Sequence, residues 1–229
     1  MSEEQIKFIS ACIIQSLSYL RREKIINRDI RMKNLIMDKK KYFNLIDFSF
    51  AIKYSDKNDT KNYIIGNKNE SAPEMLNHDS YDYNSDYYRI GIIIYYLIFK
   101  KYVNFVKKEN KTNEIFLENK NLSNYTFSCL DFLNKLLITD YQKRIGFRSI
   151  NELKNHSWFK GFNWSNFEIK KIKSPFKFFT KKKKKKYCSN FKIAYRKKNY
   201  IYKKIIKNYD YVNRKIIINI YNLFRNKIK

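Results

Sequence analysis

The feature that most limits what this chain can fold into is its division by charge. Residues 171–229 hold 21 Lys and Arg against one acid, Asp210, whereas residues 1–170 hold 28 basic and 20 acidic residues. Blocks of like charge repel and stay solvated, and Lys181–Lys186 is an unbroken run of six. A packed core therefore belongs to the first 170 residues, a length that suffices for one domain. Over the whole chain the net charge is +28, Gly and Pro are scarce (4 and 2), and Lys, Asn, Ile, Tyr and Phe are over-used. A+T-rich coding gives the same bias, so the number of lysines or tyrosines does not by itself signal a function.

Cys12, Cys129 and Cys188 are widely spaced and odd in number, and the only histidines are His78 and His156. This argues against a disulfide framework or a His-based metal cluster. It favours a reducing compartment, cytoplasmic or nuclear. The start, Met-Ser-Glu-Glu-Gln, lacks the basic-then-apolar profile of a signal peptide. The longest apolar run, Ile90–Phe99, is too short to span a bilayer and reads as a buried helix.

Ile6, Ile9, Ile13, Leu17 and Leu20 recur at three- and four-residue spacings, which predicts a helix over 3–22 with one apolar face. Ser2 and Gln5 form a capping-box pattern at its start. Two strand-like runs follow, Leu35–Met37 and Tyr42–Ile46, joined by a tight turn at residues 38–41. Residues 53–71 are polar and read as a long loop. Helices are expected over 84–102, over 126–138 (with Phe127, Leu130, Leu133, Leu136 and Leu137 in register) and over 149–160, capped by Ser149.

Between the first helix and the first strand lies Asn27-Arg28-Asp29-Ile30-Arg31-Met32-Lys33-Asn34, and Asp47-Phe48-Ser49 follows the second strand. A hairpin would bring Asp29, Asn34 and Asp47 together. Phosphoryl transfer needs such a set: a carboxylate to orient the attacking hydroxyl, oxygen donors to hold Mg²⁺ on the phosphates, and a cation for the transferring group. Alone, an acid, an amide and a second acid could sit on any surface hairpin.

An ordered series of motifs adds weight. Asn27–Asn34 resembles the protein-kinase catalytic loop His-Arg-Asp-x-x-x-x-Asn, and Asp47-Phe48-Ser49 resembles its Asp-Phe-Gly metal motif. Ala72-Pro73-Glu74, Asp86-Tyr87-Tyr88-Arg89-Ile90-Gly91, Leu136-Leu137 with Arg144-Ile145-Gly146, and His156-Ser157-Trp158-Phe159 resemble later kinase motifs in the same order, the set covering roughly 3–177. The fold implied is α+β by family but mainly α-helical here: a kinase-like C-terminal lobe with short β-hairpins around the catalytic loop. The resemblance implies ATP and Mg²⁺ as cofactors and a protein substrate. Asp29 would be the catalytic carboxylate, Asn34 and Asp47 the Mg²⁺ ligands, Arg31 the γ-phosphate contact that favours Ser/Thr specificity, and Ile36 the floor under adenine. It also implies a buried Glu74–Arg144 ion pair and an Asp86 that accepts backbone hydrogen bonds from the catalytic loop. Gly161-Phe162-Asn163-Trp164 with Lys171–Lys177, and Phe48-Ser49-Phe50-Ala51, resemble the AGC group of kinases.

The resemblance divides the chain into a kinase C-terminal lobe at 1–162, an AGC-type extension at 163–180 and a basic tail at 181–229. The sequence departs from the family pattern at Asn27 (for His), Met32 (for Pro), Ser49 (for Gly), Asn67 (for Thr) and Glu70-Ser71. The activation-loop phosphosite would fall near Tyr63 and Thr60, with Arg28 as its partner. No Gly-rich loop, Val-Ala-x-Lys strand or helix with its Glu partner is seen, so the expectation is a chain lacking the small lobe, with weak ATP binding and negligible transfer on its own. Two other readings stand beside an incomplete Ser/Thr kinase. One is a pseudokinase scaffold. The other is a nucleic-acid- or anionic-surface-binding protein whose tail interleaves lysines with Tyr187, Tyr195, Tyr200, Tyr202, Tyr209 and Tyr211.

Overall fold

The computed structural model describes residues 1–54, 70–76, 82–101 and 122–176, all within one compact unit, Met1–Lys177. Most of the loop expected at 53–71, with Thr60, Tyr63 and Asn67, lies outside the described residues. So do His78 and everything from Lys177 onward, including the basic tail and its tyrosines.

Helix α1 runs Glu3–Arg22 and starts as its sequence dictates: Ser2 Oγ accepts the Gln5 N–H and Gln5 Oε1 accepts the Ser2 N–H, both at 3.3 Å. Ile6, Ile9, Ile13, Leu17 and Leu20 are all buried. A second face is buried too. Phe8 stacks edge-on against Tyr42, Phe167 and Phe176, at 4.9, 5.3 and 6.2 Å between ring centroids. The single-faced reading missed this because the covering rings lie more than 30 residues away in sequence.

The hairpin forms from β2 (Leu35–Met37) and β3 (Phe43–Leu45), with Ile36 opposite Asn44. The turn closes through Asp38, whose N–H donates to Tyr42 O and whose Oδ1 accepts the Tyr42 N–H, at 2.8 and 2.9 Å. A second antiparallel pair, unexpected from the sequence, joins β1 (Ile25–Ile26) to β4 (Ile52–Lys53) and brackets the Asn27–Asn34 loop and Asp47–Ser49.

After α2 (Pro73–Leu76) comes α3 (Tyr83–Phe99), capped by Asp82 Oδ1 on the Asn84 N–H and ended at left-handed Lys100. It is buried nearly all round, as a helix in the middle of a core must be. Gly91 allows α4 (Phe127–Leu136) to approach: a Cβ there would lie 2.7 Å from Leu137 Cδ2. Two expectations need correction. Phe127, at the first position of α4, points into solvent at 86% exposure, and the buried stripe is Cys129, Phe132, Leu133 and Leu136. The helix expected at 149–160 is broken into α5 (Asn151–Lys154) and a 3₁₀ turn, Ser157–Phe159. Ser149 still serves the start of α5, where its Oγ accepts the Asn151 N–H. Last, α6 (Trp164–Glu168) and the irregular stretch after it return to α1 and the hairpin. Tyr42 donates its hydroxyl to Ile172 O, Ser174 donates to Lys41 O, and Lys170 pairs with Asp38.

Candidate active site

The Asn27–Asn34 loop runs between β1 and β2, and α3 anchors it. Asp86 Oδ2 and Oδ1 accept the N–H groups of Asn27 and Arg28 at 2.8 and 2.9 Å. Full burial pushes the Asp86 carboxyl up to about 6, against the pull of those two N–H groups and of Arg89. Arg28 adopts φ +67° and Asp47 φ +68°, conformations that cost energy in a residue with a side chain. Arg28 is held in part by its Nε donating to Phe50 O at 2.6 Å.

Asp29 and Asn34 meet. Asn34 Nδ2 donates to the carbonyl and to Oδ2 of Asp29, at 2.9 and 2.8 Å. Arg31 Nη1 reaches Asp29 Oδ1 at 3.3 Å while its Nε reaches Glu70 Oε2 at 3.4 Å. Arg31 thus links the catalytic loop to the stretch before Ala72. Asn27, fully buried, ties the loop to the metal motif: its Oδ1 accepts the Asp29 N–H at 3.0 Å and its Nδ2 donates to Asp47 O at 3.4 Å. Ser49 caps Asp47, donating Oγ–H and N–H to Oδ1 at 2.6 and 3.2 Å. Ile36 is half-buried on β2.

Asn34 and Asp47 suit a hard divalent cation. Asn34 spends its amide nitrogen on Asp29, which leaves its Oδ1 unengaged among the described residues, and Asp47 Oδ2 is likewise unengaged. An amide oxygen and a carboxylate oxygen are donors that Mg²⁺ accepts.

Behind the loop the Glu74–Arg144 pair forms with all five guanidinium donors used. Nη1 and Nη2 bind the carboxylate at 2.6 and 2.9 Å, and the remaining contacts go to the carbonyls of Ile138, Asn84 and Thr139. The sequence reading missed Arg89. It is buried on α3, with Nη1 3.5 Å from Asp29 Oδ1. The signal was present as an arginine inside the most apolar helix of the chain.

A carboxylate joined to a neighbouring amide, with a second carboxylate after a hairpin, supplies the donor types that phosphoryl transfer needs. In agreement, the family profile of the protein kinase domain matches residues 1–159, and the chain belongs to that family. It is similar to developmentally-regulated protein kinase 1 of Dictyostelium discoideum, 31% identical over 74% of this chain and 24% of the relative. It is similar also to human cGMP-dependent protein kinase 2, 29% identical over 76% and 23%, and to a probable serine/threonine-protein kinase of Dictyostelium discoideum, 30% identical over 76% and 39%. The chain thus spans about a quarter of the length of the first two and less than half of the third.

Proposed function

We propose that this chain carries the phosphoryl-transfer site of a protein serine/threonine kinase, taking the γ-phosphate of Mg·ATP to a protein hydroxyl. The observation that carries the reading is the joined Asp29–Asn34 pair, with Asn34 Oδ1 and Asp47 Oδ2 left for a cation. Asp29 orients the acceptor hydroxyl, and Asn34 and Asp47 hold Mg²⁺, which supplies charge neutralisation on the phosphates when bound. Arg31 turns from Glu70 to the γ-phosphate, and Ile36 lies under adenine. The kinship with a cGMP-dependent kinase and the return of α6 and residues 169–176 onto α1 favour the AGC group. Buried free thiols at Cys12 and Cys129 fit a reducing compartment, cytoplasmic or nuclear. Among the described residues no helix is long and apolar enough to cross a membrane. Nucleic-acid binding by the tail finds no support in the comparisons and is not carried forward.

A specific observation favours the pseudokinase as a second reading. Arg31 is engaged by Asp29 and Glu70, and Asp47 Oδ1 by Ser49. The test is phosphate transfer from Mg·ATP to a mixed Ser/Thr peptide library, using the protein made from its complete coding sequence. Transfer that is lost in Asp29→Asn and Asp47→Ala supports the kinase. Partner binding with no transfer supports the scaffold.

A further inference from the structure

Arg89 is the buried charge that the roles above leave unused. It is 1% exposed, on the rigid central helix and not on the loop. Burying a guanidinium is costly unless a carboxylate answers it. Burial does pull its pKa below the usual arginine value, and Asp86, Asp29 and Glu70 oppose that pull. Its Nη1 lies 3.5 Å from Oδ1 of Asp29, the oxygen that Arg31 also reaches at 3.3 Å. A carboxylate offers about four lone-pair directions. Arg31 and Arg89 take two on Oδ1, and Asn34 takes one on Oδ2. Arg31 divides itself between Asp29 and Glu70, whereas Arg89 approaches from α3, where no segment of the catalytic loop can carry it away.

We propose that Arg89 is a positioning residue for phosphoryl transfer. It holds Asp29 Oδ1 from the core side and leaves the remaining direction on Oδ2 for the acceptor hydroxyl. Arg89 lies inside the Asp86–Gly91 motif, but the resemblance assigned it no role. The inference rests on the kinase reading of Asp29.

The experiment compares wild type, Arg89→Met and Arg89→Lys in the protein made from its complete coding sequence. Rates with a mixed Ser/Thr peptide library are normalised to nucleotide sites counted by Mg·ADP titration. The expected result is a kcat at least tenfold lower in R89M with KM for ATP within twofold, and at least threefold recovery in R89K. A kcat within twofold of wild type in R89M, or an R89K no better than R89M, overturns the proposal. If R89M does not fold, Arg89→Gln is read against the same limits. A thermal-unfolding cycle of R89M, Asp29→Asn and the double variant runs in parallel, without reference to turnover. If wild type itself transfers no phosphate, the kinase reading fails and the cycle alone decides the contact. Non-additive melting shifts uphold Arg89 as the group that holds Asp29, and shifts that add within error overturn it.

Discussion

Asn27 spans two functional segments with a single amide. Its oxygen accepts from the Asp29 N–H and its nitrogen donates to Asp47 O. From the sequence, Asn27 reads as a departure from the family's loop histidine. The structure shows the two segments linked by a side chain that does not titrate. That was not legible, because the link depends on where the β2–β3 hairpin delivers the carbonyl of Asp47. Asp29, Asn34 and Asp47 were legible, because their order and spacing about a hairpin are properties of the chain itself. Asn27→Ala is expected to leave a buried N–H and a carbonyl without their partner, at a cost of about 1–3 kcal/mol. Urea denaturation measures the loss. Asn27→Asp keeps the acceptor but buries a carboxylate next to Asp29 and Asp86, so it should cost at least as much as N27A. A midpoint in N27A equal to wild type would remove the bridge from the account.

At the scale of elements, α3 organises the site. Its N-terminal half presents Asp86 to the catalytic loop and Arg89 to Asp29, and its middle meets α4 across Gly91. Hydropathy located this helix to within a few residues at each end, since thirteen of its seventeen residues are buried. Hydropathy also hid Arg89, because a run of isoleucines says only that the helix is inside. The strands β1 and β4 were illegible for another reason: two residues each carry no period, and only the partner strand defines them. Phe127 was misassigned because helical register alone does not say which turns are covered, and this first residue of α4 lies at the surface. Two outcomes belong to this scale. Gly91→Ala should drive a methyl into Leu136 and Leu137 and destabilise by about 1–3 kcal/mol, read as a lower urea midpoint with the same slope. Glu74→Gln should cost more, about 3–5 kcal/mol, because it leaves the buried Arg144 guanidinium without its counter-charge. Equal midpoints for E74Q and wild type would mean that the pair contributes nothing net.

For the molecule as a whole, the response to acid follows from where its carboxylates sit. Burial alone would raise Glu3, but the N–H and hydroxyl of Thr126 and the indole of Trp158 outweigh it, so its pKa is lowered. Asp38 is lowered in the same way, since Lys170 and the Tyr42 N–H overcome its burial. Burial would raise Asp131 as well, but Lys135 and His156 together outweigh it, so its pKa is lowered. Each of these groups contributes stability above its unfolded value near 4 and loses it as pH falls through the lower folded value. Asp86 runs the other way. Its folded pKa of about 6 means that the folded state takes up the proton first, so stability gains from this group as pH drops from about 6 toward 4. His156, held below its ordinary value by burial despite Asp131, resists protonation in the fold and loses stability as pH drops below about 6.5. The Asp86 and His156 effects oppose each other above pH 4, while the three lowered carboxylates act together below it. The urea midpoint is therefore expected to fall steeply below pH 4. The joint variant Asp38→Asn, Lys170→Met should start lower at pH 7 and fall less on acidification, because the contribution it removes is the one acid would have removed. A wild-type midpoint that held level to pH 3, or a variant that fell in parallel with it, would show that the contacts between the hairpin and residues 163–176 do not carry this part of the stability.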